Sequence, residues 1–219
     1  MKMKTTHRLN EDITSGDLRS AYVQAPFDKG LEVLQDNGYD LISLQDNAKL
    51  RMQEGPQAYI SQNGNWVSEE VPYIPYKGIY LSKAGILNRN AKKATQSNRD
   101  GTNFYLTDDQ VKEYRSDCVL LSTSSRNFSI STNRFNKNEI TLYAFGDQAE
   151  AYGNFLKEND INKMSIWLAD MQDKPFARKL WFGWLDVNSG LDGTSRDLDY
   201  DSRVRGVTSE RRRSRAKNF

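Results

Sequence analysis

The longest strongly apolar run in this chain is Leu180-Trp181-Phe182-Gly183-Trp184-Leu185. A membrane-crossing helix needs about 20 consecutive apolar residues. The chain therefore has no candidate span and must build its core from short strands and amphipathic helices distributed over 219 residues. Aromatic side chains make up 11% of the sequence, enough to fill such a core and to argue against disorder. Positive charge at Met1 to Arg8 is followed by no apolar stretch, so no signal peptide is expected. The expectation is a soluble, cytoplasmic protein without a membrane partner.

The periodicity predicts a mixed α/β (α+β) fold with four segments. Residues 1–82 are read as a helical pair plus a β-hairpin region. In the first helix Pro26 opens the first turn, Phe27, Leu31 and Leu34 share a face, and Gly38 is the stop. The second starts from a Ser43 cap with Asp46 three residues on. Ala58-Tyr59-Ile60-Ser61, Asn63-Gly64 and Trp66-Val67 read as strand, turn and strand, and Pro72 and Pro75 mark the following stretch as an edge or extended crossing. Residues 83–103, poor in large apolar side chains, are read as a loop or linker.

Residues 104–201 are read as an α/β region. Thr107 caps a short helix reaching Tyr114. Within 139–170, Ile140 to Phe145 reads as a strand, Asp147 caps a helix whose face is Ala149, Tyr152 and Leu156, and Met164 to Leu168 is another strand. That order implies a βαβ crossover. Residues 202–219 are read as a disordered basic tail, although 1–201 is short enough to be a single domain.

Residue counts exclude much catalytic chemistry. Cys118 is the only cysteine and His7 the only histidine, so thiolate clusters, intramolecular disulfides and the usual histidine-based triads cannot be assembled. Cys118 lies in a strand-like Asp117-Cys118-Val119-Leu120-Leu121 and is expected to be an inert structural thiol. No glycine-rich nucleotide fingerprint or GK[ST] motif occurs. Asp186 to Gly193 fails the calcium-loop spacing in either register and reads as a turn. Trp181, Phe182 and Trp184 are expected to be buried.

Two sets of residues remain as candidate sites. Asp147 and Asp170 fall at the carboxyl ends of the two expected parallel strands, and Asp197, Asp199 and Asp201 alternate with Leu198 and Tyr200. Either set would hold a hard cation such as magnesium in a phosphoryl-transfer or phosphodiester-cleaving enzyme. The other set is cationic. Arg203, Arg205, Arg211, Arg212, Arg213, Arg215 and Lys217 stand against one acid, Glu210, in the last eighteen residues, whereas the whole chain is only +2. Lys92, Lys93 and Arg99 add a basic loop ahead of Phe104-Tyr105.

Phosphate neutralisation and ring stacking would let these groups hold nucleic acid with little base specificity. The leading expectation is thus a non-enzymatic, cofactor-free nucleic-acid-binding protein. A magnesium-dependent enzyme and a subunit docking a protein partner are the alternatives.

Overall fold

The structure is a computed structural model that describes residues 7–14, 16, 18–186, 189–194 and 197–209. In chain order its elements begin with β1 (Leu9–Ile13), β2 (Leu18–Ala25), α1 (Phe27–Asp36), β3 (Asp40–Leu41), α2 (Leu44–Glu54) and α3 (Tyr59–Gln62). The middle comprises β4 (Asn65–Ile74), β5 (Gly78–Ser82), α4 (Ile86–Arg89), α5 (Ala91–Arg99), β6 (Phe104–Tyr105), α6 (Asp108–Ser116) and β7 (Cys118–Ser122). Then follow β8 (Phe128–Ser131), α7 (Glu139–Phe145), α8 (Ala149–Glu158), β9 (Lys163–Trp167), β10 (Phe176–Phe182), β11 (Gly190–Asp192) and β12 (Ser202–Ser209).

One mixed sheet gathers the strands in the order β1-β2-β12-β4-β10-β11-β9-β8, with β3, β5, β6 and β7 attached beside it. Most pairings are antiparallel, but β12 meets β4 in parallel at Val204↔Trp66, and β11 runs parallel to β9. A core lies on each face. Phe27, Leu31 and Leu34 of α1 pack with Ala94, Tyr114, Trp66 and Val204 on one side. Leu44, Ala48 and Leu50 of α2 pack with Ala144, Phe145, Tyr152, Val67 and Val207 on the other. The two expected N-terminal helices therefore exist but sit on opposite faces. Close approach fixes Gly30 in α1, because a Cβ there would lie 2.4 Å from Val204 Cγ2.

Local signals placed several elements correctly. Ser43 Oγ accepts from Asp46 N at the start of α2, and Thr107 with Gln110 forms a complete capping box on α6. Ala149, Tyr152 and Leu156 are the buried face of α8, and the strand expected near Met164 is β9.

Other expectations fail for identifiable reasons. Ile140 to Phe145 is helical, so the β-α-β crossover of 139–170 does not exist. Asn138 Oδ1 accepts from Ile140 N and Thr141 N at 3.0 and 3.2 Å, starting a helix that buries Ile140, Thr141, Ala144 and Phe145. Tyr59 to Gln62 is a helical turn and not a hairpin arm, with Ser61 N and Gln62 N both donating to Ala58 O. Pro72 lies in the buried interior of β4 and not on an edge. It pairs with Ala177, while the β4–β5 ladder steps from Glu70 to Tyr73 and leaves the gap a proline requires.

The segment read as a linker carries α4 and α5: Ile86 and Leu87 of α4 and Ala94 of α5 join the core lined by α1, and Thr95 Oγ1 accepts from Asp28 N of α1 at 3.3 Å. Small residues on the packing face concealed that helix. The start of the expected tail is β12, paired with β2 from Ser202↔Ala25 to Ser209↔Leu18. The run read as a strand with Asp197, Asp199 and Asp201 on one face is instead a turn, closed by Tyr200 N to Asp197 O at 3.2 Å, and the strand begins only at Ser202.

Candidate binding surface

The registers bring several loops to one end of the sheet. Phe182 at the end of β10 pairs with Asn65 at the start of β4, Trp66 meets Val204, and Ser202 pairs with Ala25 at the end of β2. The turn α3, the connection after Phe182 and the turn before β12 consequently converge. Leu185 N donates to Ser61 O at 2.7 Å, Phe27 N donates to Leu198 O at 2.7 Å, and the Gln24 side chain donates to Asp201 O.

A ladder of cations and rings rises through this end. At its foot Arg205, 1% exposed, forms a two-point pair with the Asp12 carboxylate at 2.8 and 2.6 Å and donates to Ser20 Oγ at 2.8 Å. Its guanidinium lies 5.3 Å from the centre of the Tyr22 ring. Tyr22 stacks on Tyr59 with ring centres 4.8 Å apart and planes inclined by 22°. Arg203 completes the series 5.6 Å from the Tyr59 ring, its Nε donating to the phenol oxygen at 3.1 Å and its Nη1 to Gly64 O at 3.2 Å.

Electrostatics separate the two phenols. Their mutual hydrogen bond, with burial, raises Tyr22. Burial alone would raise Tyr59 too, but its hydrogen bonds with Tyr22 and Arg203 prevail and lower it. Arg51 supports the same end from within. It is fully buried, lies 4.0 Å over the Phe182 ring, and donates to Gly183 O at 2.7 Å where the strand turns into its loop.

Large rings cap this surface. Tyr59 is 41%, Trp184 51% and Tyr200 65% exposed. Trp184 Nε1 donates to Asp186 Oδ2 at 2.6 Å, which steadies the ring without covering it. The expected burial of the Trp181-Phe182-Trp184 strip thus holds for Phe182, partly for Trp181, and not for Trp184.

The residues singled out from sequence are distributed differently. Arg203 and Arg205 belong to the ladder, and Arg205 is unavailable to a phosphate because Asp12 already holds it. Lys92, Lys93 and Arg99 lie exposed on α5, where Lys93 Nζ is 5.5 Å from the Phe104 ring. Arg211, Arg212, Arg213, Arg215 and Lys217 lie outside the described residues. Asp147 accepts from Gln45 Nε2 at 2.6 Å beside α2, and Asp170 is exposed after β9. Asp197, Asp199 and Asp201 occupy the turn before β12. Among the described residues no group of three or more histidine, cysteine or carboxylate side chains is placed to hold a metal ion. Cys118 lies in β7, where burial pushes its thiol up and away from the reactive thiolate. Sequence reasoning missed Tyr22 and Tyr59, since 144 positions separate Arg203 from the ring it covers and no local pattern joins them.

No protein-family model matches the chain, and no curated protein does. Among solved structures it is similar to one described as "Accommodation of massive sequence variation in Nanoarchaeota by the C-type lectin fold". The TM-score is 0.61 at 15% identity, over 94% of this chain and 99% of that one. Architecture therefore defines the chain as a mixed α/β protein of the C-type lectin fold. The nucleic-acid expectation is overturned: the likeness is to the C-type lectin fold, and of the cations assigned to phosphate, Arg205 is paired with Asp12 while Arg203 is bonded to Tyr59 and Gly64 O. No helix of the described residues is long and apolar enough to cross a membrane.

Proposed function

We propose that this protein is a binding module that presents the loop-bearing end of its sheet to a protein partner. The observation that carries this reading is the Arg205-Tyr22-Tyr59-Arg203 ladder, anchored at Asp12 and ending in exposed aromatic rings. Tyrosine, tryptophan and arginine dominate binding energy at protein interfaces, because each offers large contact area with a polar tip. Stacking and the Asp12 pair hold these side chains before a partner arrives, which reduces the ordering entropy lost on association. Loops on a rigid scaffold are the usual carriers of recognition. The related solved structure is described as accommodating massive sequence variation, and here Tyr59, Trp184 and Tyr200 are exposed enough to vary without emptying either core.

The test is parallel affinity capture with the wild-type chain and a Tyr59→Ala/Trp184→Ala/Arg203→Ala variant. The expected result is a protein retained by the wild type and lost by the variant, with the fold preserved by circular dichroism. Equal retention by both would remove this surface from consideration.

A further inference from the structure

At the opposite end of the sheet, where β4 turns into β5, Ile74-Pro75-Tyr76-Lys77 forms a tight turn closed by Lys77 N to Ile74 O at 3.0 Å. Tyr76 is its third residue, with φ 62°, a left-handed conformation in which glycine is the normal occupant. A bulky residue held there is a backbone outlier. Its ring is fully exposed at 103%, so no packing offsets the strain. Proline at the second position accounts for the turn but not for tyrosine in place of glycine. Strain kept without a packing reason points to function.

Beside this ring lies a cavity of about 370 Å³ that also receives Lys77, Thr123, Ser124, Met171 and Asp173. Its walls are fixed. Met171 N donates to Ser125 Oγ and Ser124 N to Ser122 Oγ, at 2.8 and 3.1 Å. Gly78, with φ 127°, brings the turn so close that a Cβ there would lie 3.0 Å from Ser122 O. Lys77 and Asp173 share the cavity, yet they are not paired with each other, and neither has an ion-pair partner among the described residues. Unlike charges that face one cavity without meeting are complementary to a ligand carrying both signs.

We infer that this cavity binds a small zwitterion of dipeptide size. The ligand's ammonium lies against the Tyr76 ring face and the Asp173 carboxylate, its anionic end on Lys77 Nζ, and its apolar body on Pro75 and Met171. The Thr123 and Ser124 hydroxyls take the remaining hydrogen bonds. The volume falls within the range of small-ligand sites. This site is independent of the loop-bearing end and does not require the reading given above.

The experiment titrates the dipeptide Ala-Ala, its N-acetyl form and its C-terminal amide into the ¹⁵N-labelled full chain, following backbone amide signals. The expected result is a saturable shift of Lys77, Thr123, Ser124 and Asp173 with free Ala-Ala. Either cap should weaken binding about tenfold or more, the effect of losing a hydrogen bond to a charged group. Tyr76→Gly should abolish the shifts while raising the melting temperature. Lys77→Met should remove the preference for the free carboxylate, and Asp173→Asn that for the free ammonium. Absence of a localised shift, equal binding of the capped peptides, or undiminished binding to Tyr76→Gly would each overturn the assignment.

Discussion

Lys179 of β10 and Glu70 of β4 face each other across the sheet, Nζ 3.6 Å from Oε1, with both side chains wholly buried. The ammonium also donates to Asn88 Oδ1, Ser68 O and Glu69 O, at 2.6, 2.9 and 3.2 Å. Glu70 accepts from Asn88 N at 3.1 Å and from the Tyr114 hydroxyl at 2.6 Å. This network joins two central strands to α4 and α6. Lys179→Met should leave the Glu70 carboxylate buried without its cation and lower stability by about 3–5 kcal/mol. Urea unfolding would measure it; a loss below about 1 kcal/mol, the size of a single neutral hydrogen bond, would show that the pair is not a keystone of the sheet.

The same lysine gives stability a pH signature. Burial lowers its pKa to about 8, although Glu70 and Glu69 oppose the shift. The folded value lies below the unfolded one, so the unfolded chain binds more protons between them and stability rises as pH climbs from about 8 toward 10. Above about 10 the buried Tyr73 and Tyr114, whose pKa values burial raises, reverse the trend because the unfolded phenols ionise first. Denaturant midpoints across this range should therefore pass through a maximum. In Lys179→Met the rise between 8 and 10 should vanish.

Asp12 anchors the aromatic ladder through Arg205. Asp12→Ala should cost about 2–3 kcal/mol, less than for a fully buried pair because the Asp12 side chain is 19% exposed. It should also weaken partner capture while leaving Tyr59 and Trp184 in place. Thermal unfolding and capture on the same preparation separate the two effects.

Gly30 should resist replacement despite its helical position. Alanine would gain up to about 1 kcal/mol of helix propensity. Its methyl would also lie 2.4 Å from Val204 Cγ2 and 2.7 Å from Val204 Cβ. Gly30→Ala should therefore be destabilising by about 1–3 kcal/mol in net terms. The double variant with Val204→Ala should recover part of that loss, and an additive double variant would show that the clash lies elsewhere.

Trp184→Ala should change stability by no more than about 0.5 kcal/mol, as expected for a half-exposed side chain outside both cores. Its effect should appear in partner capture alone.

The sequence by itself determined the local elements: the Ser43 and Thr107 caps, the buried faces of α1 and α8, the strand at Met164 and the stop at Gly38. Each is settled by atoms within about one helical turn, so short-range chemistry suffices. Only the tertiary structure decided that Ile140 to Phe145 is a helix, that the Tyr59 segment turns, and that Ser202 to Ser209 is a strand inside the sheet. Arg205 and Asp12 are 193 positions apart, and Lys179 reaches Ser68 across 111. Whether a charge is a free surface cation or a buried structural one depends on desolvation and on which partner the topology delivers. The run of arginines, read as a tail for phosphate, therefore begins inside the C-type lectin fold, with Arg203 at the exposed end of its aromatic ladder and Arg205 at the foot.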